Sequence, residues 1–396
     1  MKATWQALSS PLLSSLEPSG ELTRATKMEN EVPIITASAS PFRLVVRDES
    51  DAWTATLDEI NARTYNYVKL HRISTYFDVG IAPFSLGICY DGTMLLPATE
   101  TYRDRDRAFS KFNQTLAELL VGGIYCEAPQ PDDIGYGSLS WEGYSRIMGG
   151  ATGPTASVRN AARMKMLSSL DSMTLLSPEV VTVAEMKAAL ERGRDLLAKL
   201  GSVPQEQMLH GTTFYVRKQW AESLLHLWTT TERVLETAWT RHVMTHPPAP
   251  TKSRREFLSD HRTWTAAAKL EVLFQKELLP EHTYDVLTEV RKARNAFAHR
   301  GVAPGYEIAR QALVGCFEMA SLCASAFTEL DLFKGIVDVV ERRCRPDLFP
   351  ARQRDQSLQP THWIAIPPLP GDKHWGDQPY EVIEELRLTP VHNARQ

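Results

Sequence analysis

A chain of 396 residues is long enough for two or three domains, each with its own core. Its hydrophobic fraction of 43% and charged fraction of 23% are those of an ordinary globular protein. A net charge of −4 excludes a global polycation, so any contact with RNA or DNA must come from a local basic patch. The five cysteines (Cys89, Cys126, Cys316, Cys323, Cys344) are odd in number and form no CxxC pair, which argues against a disulfide framework or a zinc knuckle. Cys316 and Cys323 lie in an apolar helical run and read as small core residues. No stretch approaches the roughly 18 apolar residues that span a bilayer, and no apolar run follows Lys2 as a signal peptide would require. A cytoplasmic protein without membrane contact is expected.

Residues 1–31 show no clear periodicity and read as a disordered leader. Residues 32–150 carry strand signals and read as a mixed α/β domain. FRLVVR (Phe42–Arg47) is a short strand, and Asp91-Gly92 between apolar runs is a strong hairpin signal. A helix is predicted in DRDRAFSKFNQTLAELLVGG, with Phe109, Phe112, Leu116, Leu119 and Leu120 at helical spacing and Gly122-Gly123 as its stop. The alternating charges Arg103 to Arg107 read as a solvated face.

Beyond the glycine-rich turn MGGATGPTAS the chain reads as helical: a connector over 151–204, then a helical bundle over 205–345. Thr182 and Glu185 form a capping box that opens a helix through Leu200, closed by Gly201. A long helix is predicted from about Phe214 to Val243, with further helices at about 263–278, 281–299 and 305–329. The proline-rich tail over 346–396 is expected to be extended or disordered. The fold class is thus α+β, an N-terminal mixed α/β domain followed by an all-α bundle.

The stretch RKARNAFAHRG (Arg291–Gly301) places three arginines, an asparagine and a histidine at a helix end. At about 100° per residue, Val286, Val290, Ala293 and Phe297 share the core face. Arg291, Asn295 and His299 share the opposite one. Arg294 lies between, about 140° round from His299. On one ideal helix Arg294 and His299 therefore point apart. They converge on one phosphate if the last turn unwinds at Gly301, or if a second copy of the helix packs on the polar face. On the earlier helix, Ala221, Leu224, Leu225, Trp228, Leu235 and Trp239 form an apolar stripe with Glu232 in its middle. A carboxylate there demands a cation, and Arg294 on the core flank is a nearer partner than Arg291.

The hexad Arg294 to His299 resembles the R-x4–6-H motif of the HEPN superfamily in its R-(N/D/H)-x-x-x-H form. The run LLHLWTTTERVLE (Leu224–Glu236) resembles the Trp-and-Glu leading helix of the Apea-like HEPN branch. The resemblance covers roughly residues 205–345 and does not extend to residues 1–180. It implies a bundle that homodimerises through the motif helices and acts as a metal-independent endoribonuclease without cofactor, in a toxin or anti-phage defence setting. Arg294, Asn295 and His299 would be catalytic, Glu232 and Arg291 supporting, and Arg300 substrate-binding. RNA would be the substrate, and an unidentified ligand or phage-derived trigger would act at the N-terminal domain. Some HEPN toxins carry a modifiable tyrosine two residues past the histidine; Gly301 stands there, which argues against that mode of regulation. The alternative is a non-catalytic RNA- or protein-binding module with a structural Arg/His helix end. Rival chemistries find little in the sequence. His242-x3-His246 has metal-ligand spacing but no HExxH glutamate, and GxGxxG, Walker A and GxSxG motifs are absent.

Overall fold

The structure, a computed structural model, describes residues 31–51, 53–102, 104–168, 171–245 and 251–344. In chain order its first elements are β1 (Glu31–Ala37), β2 (Arg43–Val46), α1 (Leu57–Asn61), β3 (Ile73–Phe77), β4 (Leu86–Cys89), β5 (Met94–Pro97) and α2 (Arg105–Val121). Next come β6 (Ile134–Ser140), β7 (Ser145–Gly149), α3 (Pro154–Arg163), α4 (Ser172–Leu176) and β8 (Glu179–Thr182). The helical remainder comprises α5 (Val183–Leu200), α6 (Gln205–Val216), α7 (Trp220–Trp239), α8 (Lys252–Ser259), α9 (Ala266–Gln275), α10 (Glu281–Arg300), α11 (Tyr306–Ala324) and α12 (Lys334–Arg343). No described helix is long and apolar enough to cross a membrane. The fold is α+β.

Six antiparallel strands form one sheet in the order β3-β4-β5-β1-β6-β7, while β2 and β8 pair in parallel beside it. The Asp91-Gly92 hairpin is present: Gly92 adopts φ +78°, and the Asp91 carboxylate accepts from the Thr93 N–H at 3.1 Å. Ile35 and Ala37 of β1 face α2, whose Phe112, Leu116, Leu119 and Leu120 are buried as their spacing predicts. Among the described charges before that helix, Asp104 caps its N-terminus and Arg105, Asp106 and Arg107 are solvated. The leader lies outside the described residues except for Glu31, which already pairs with Ser140 in the sheet. The tail beyond residue 344 lies outside them too.

α2 packs against α5 and α6, so one continuous hydrophobic core runs from Ile35 in the sheet to Val340 in α12. The α2–α5 crossing is close. A Cβ on Gly193 would stand 1.8 Å from the Glu118 carbonyl oxygen, so only glycine fits this backbone approach. The capping box at Thr182 and Glu185 forms and Gly201 ends α5, as predicted.

Several boundaries differ from the periodicity reading. The long helix expected over 214–243 is two helices, α6 and α7, folded back on each other through Lys218 at φ +61°. Gly211 of α6 seats Leu227 of α7 at the hairpin contact. The buried face of α7 carries Leu224, Leu227, Trp228, Val234, Leu235 and Ala238, whereas Leu225, expected in the stripe, is 36% exposed. α11 ends at Ala324, where Ala326 and Phe327 take positive φ, rather than at 329. Strands β1, β6, β7 and β8 and helices α8 and α12 are not among the elements that the sequence indicates. Cys316 and Cys323 are core residues, 0% and 2% exposed.

Candidate functional site

α10 starts after Pro280 and ends at Gly301, which closes it in the left-handed conformation (φ 68°, ψ 18°). The Gly301 N–H donates to the Phe297 carbonyl at 2.9 Å, so His299 and Arg300 occupy the final turn as the sequence indicates. The helix divides lengthwise. Its first half buries Thr283, Leu287 and Val290 against α11, where Gly315 admits Val286 and Leu287 at close range. From Arg291 to Arg300 no residue is buried: Arg291, Arg294 and Asn295 are half-buried, and His299 and Arg300 are exposed. Val290 and Ala293 meet the core as expected, but Phe297 is only half-buried and stands outside that core cluster.

Five of the six candidate residues lie on α10 and fall into three groups. Arg294 and Asn295 are joined directly, Arg294 Nη1 donating to Asn295 Oδ1 at 3.1 Å. The guanidinium makes no other hydrogen bond or ion pair among the described residues. Arg291 buries its Nε with no acceptor among the described residues. His299 and Arg300 make no hydrogen bond or ion pair to Arg294 within one chain, among the described residues. The about 140° offset along the helix accounts for that separation.

Glu232 corrects one expectation. It does not pair with Arg294 or Arg291: it is half-buried on α7 and has no ion-pair partner among the described residues. A partly buried ion pair is instead formed one turn later, by Glu236 with Lys269 of α9. Lys269 is 5% exposed and its ammonium lies 5.8 Å from the Trp239 ring. Glu232 instead lines an open cleft of about 400 Å³ with Arg233, Glu236, His261 and Trp264. The expected Glu232–Arg294 pair does not form, and Lys269, in the apolar run AAAKLEV, gives no sign in the sequence that it pairs with Glu236.

Among the described residues no cluster of three or more His, Cys, Asp or Glu side chains could hold a metal ion. His242 packs edge-on against Phe327 at 4.7 Å; its expected companion, His246, lies outside the described residues. Sequence reading also missed a buried ionic network in the sheet region. Asp91 and Arg163, 0% and 2% exposed, form a bidentate pair with N···O distances of 2.7 and 2.9 Å. Asp91 had been legible only as a turn residue.

No protein-family model, curated protein or solved structure matches this chain. Its own residues therefore carry the functional reading.

Proposed function

We propose that this protein is an endoribonuclease of HEPN type that cleaves RNA through a site assembled between two copies of α10. The observation that supports this reading most is the unburied second half of α10. It presents Arg291, Arg294, Asn295, His299 and Arg300 on a helix whose first half is fixed in the core. A half-buried surface of this kind requires solvent or a partner, and a second copy would bring one chain's Arg294 near the other's His299.

The chemistry follows from the residue types. RNA carries its own nucleophile in the 2′-OH, so a site need supply only proton transfer and charge stabilisation. Histidine can serve as general acid or base, so His299 takes the 2′-OH proton or delivers one to the leaving 5′-oxygen. Arg294 grips the scissile phosphate and stabilises the charge that builds on its oxygens. The 2′-oxygen bonds to phosphorus as the P–O5′ bond breaks, leaving a 2′,3′-cyclic phosphate and a 5′-OH end. Asn295, holding Arg294 at 3.1 Å, sets the orientation of the fork. Arg291 and Arg300 attract the flanking phosphates. A toxin or anti-phage setting follows from the same resemblance.

A second reading is a non-catalytic RNA- or protein-binding module, favoured by the separation of His299 from Arg294 within one chain. Overexpression of wild type beside His299→Ala, with total RNA sequenced for new 5′-OH ends, separates the two. New ends in wild type alone support the nuclease; identical end profiles support the binding module.

A further inference from the structure

Arg159 of α3 is 2% exposed, yet it has no carboxylate partner among the described residues. Its Nε donates to the Asp91 carbonyl at 3.1 Å, and its Nη2 donates to the carbonyls of Ala39 and of Pro41, the latter at 3.2 Å. Nη1 donates to no acceptor among the described residues. Both nearby carboxylates are taken: Asp91 holds Arg163, and Asp133 accepts the N–H groups of Gln130 and Ala156. Burial works against both guanidinium charges. Beside Asp91 the Arg163 group nonetheless ends above its ordinary pKa, whereas Arg159 ends below. Asp91 and Asp133 act on Arg159 only from beyond ion-pair range; its direct acceptors are three dipolar carbonyls, and a buried cation without a paired counter-charge is unfavourable.

The same side chain lines an open groove of about 430 Å³. Ser40, Thr155, Thr174 and Ser177 also line it, and the ring of Phe42 lies 5.4 Å from the guanidinium carbon. The one carboxylate on the wall, Glu179, is already held by Arg43 at 2.8 Å and by Arg343.

We propose that this groove is a binding site for a small oxyanion ligand, a phosphate or phosphorylated metabolite, whose charge completes Arg159. The oxyanion accepts from Nη1, the hydroxyls take its remaining oxygens, and Phe42 flanks whatever the phosphate carries. The site belongs to the sheet region and stands independently of the Arg294 and His299 reading.

Thr155 precedes Arg159 by four residues on α3, so a carboxylate at 155 reaches the guanidinium at 159. Thr155→Glu therefore supplies the missing charge internally. The test is thermal unfolding of the full chain with inorganic phosphate and, separately, with adenosine monophosphate. It is run on an Arg294→Ala background to remove phosphate binding at α10. Expected is a rise in Tm of about 5 °C at a hundredfold excess over Kd. Thr155→Glu should melt higher than the background without ligand and show no further rise with it, while Thr155→Gln should keep the ligand response. A background protein that neither anion stabilises overturns the proposal. So does a Thr155→Glu protein that melts lower, or one that still responds to phosphate.

Discussion

Replacing Asp91 with alanine tests the ionic network that anchors α3 to the sheet. Asp91 is wholly buried at the β4–β5 turn and receives Arg163 Nε at 2.7 Å and Nη2 at 2.9 Å. It also accepts the Thr93 N–H at 3.1 Å. Removing this carboxylate leaves Arg163, 2% exposed, as an uncompensated buried charge beside Arg159. Breaking such a pair from one side costs about 3–5 kcal/mol. At about 2 °C per kcal/mol for a unit of this size, Tm at pH 7 should fall by roughly 6–10 °C. Asp91→Asn keeps an acceptor oxygen and the side-chain shape, so it should fall between wild type and Asp91→Ala. The pH dependence has a fixed sign. Burial pushes the Asp91 carboxyl up, but Arg163 outweighs it and holds the group below its ordinary value. Its contribution is therefore complete above the unfolded value of ~3.9 and lost as pH falls through the lower folded one. The gap between wild type and Asp91→Asn, read by differential scanning calorimetry, should narrow below about pH 4. An Asp91→Ala protein melting within about 1 °C of wild type at pH 7 would refute the reasoning.

On α7, Glu236→Ala should destabilise by about 3 kcal/mol because it strands the buried Lys269, whereas Glu232→Ala should stay within about 1 kcal/mol; urea titration of both compares them, and the reverse order would contradict the observed pairing. Burial holds the half-buried His210 and His226, whose ring centroids are 5.7 Å apart, below their ordinary pKa. The unfolded chain then takes up more protons, so stability should decline as pH falls below ~6.5, and a His210→Phe, His226→Phe double variant should lose much of that slope. The chain should be a homodimer at micromolar concentration by light scattering, and Arg291→Glu should shift it toward monomer; a wild-type monomer would count against a site shared between two copies.

The helical half of the fold was legible where apolar spacing and stop signals agreed. α2, α5 and α10 lie where periodicity, the Thr182 capping box and the terminal glycines 122, 201 and 301 place them. The α6–α7 break was not, because Lys218 carries no turn chemistry of its own and the packing that holds the reversal, such as Leu227 against Gly211, joins residues far apart in sequence. Strands β1, β6 and β8 were obscured because their partners are distant: β1 pairs with β5 and β6, and β8 pairs with β2, more than a hundred residues earlier. At the candidate site, Gly301 and the faces of Arg291, Asn295 and His299 could be read from spacing. The Arg294–Asn295 contact and the Glu236–Lys269 pair could not, since adjacent residues on a helix point apart and a lysine in an apolar run gives no hint of its partner.

Incubating purified wild type, Arg294→Lys and His299→Ala with RNA in the presence of EDTA, and resolving the product ends, decides whether the α10 residues cleave RNA. Wild type should yield 2′,3′-cyclic phosphate and 5′-OH ends undiminished by the chelator. His299→Ala should yield none, and Arg294→Lys should be severely impaired because an ammonium cannot reproduce the planar fork. Cleavage that EDTA abolishes, or that persists unchanged in His299→Ala, would contradict the account.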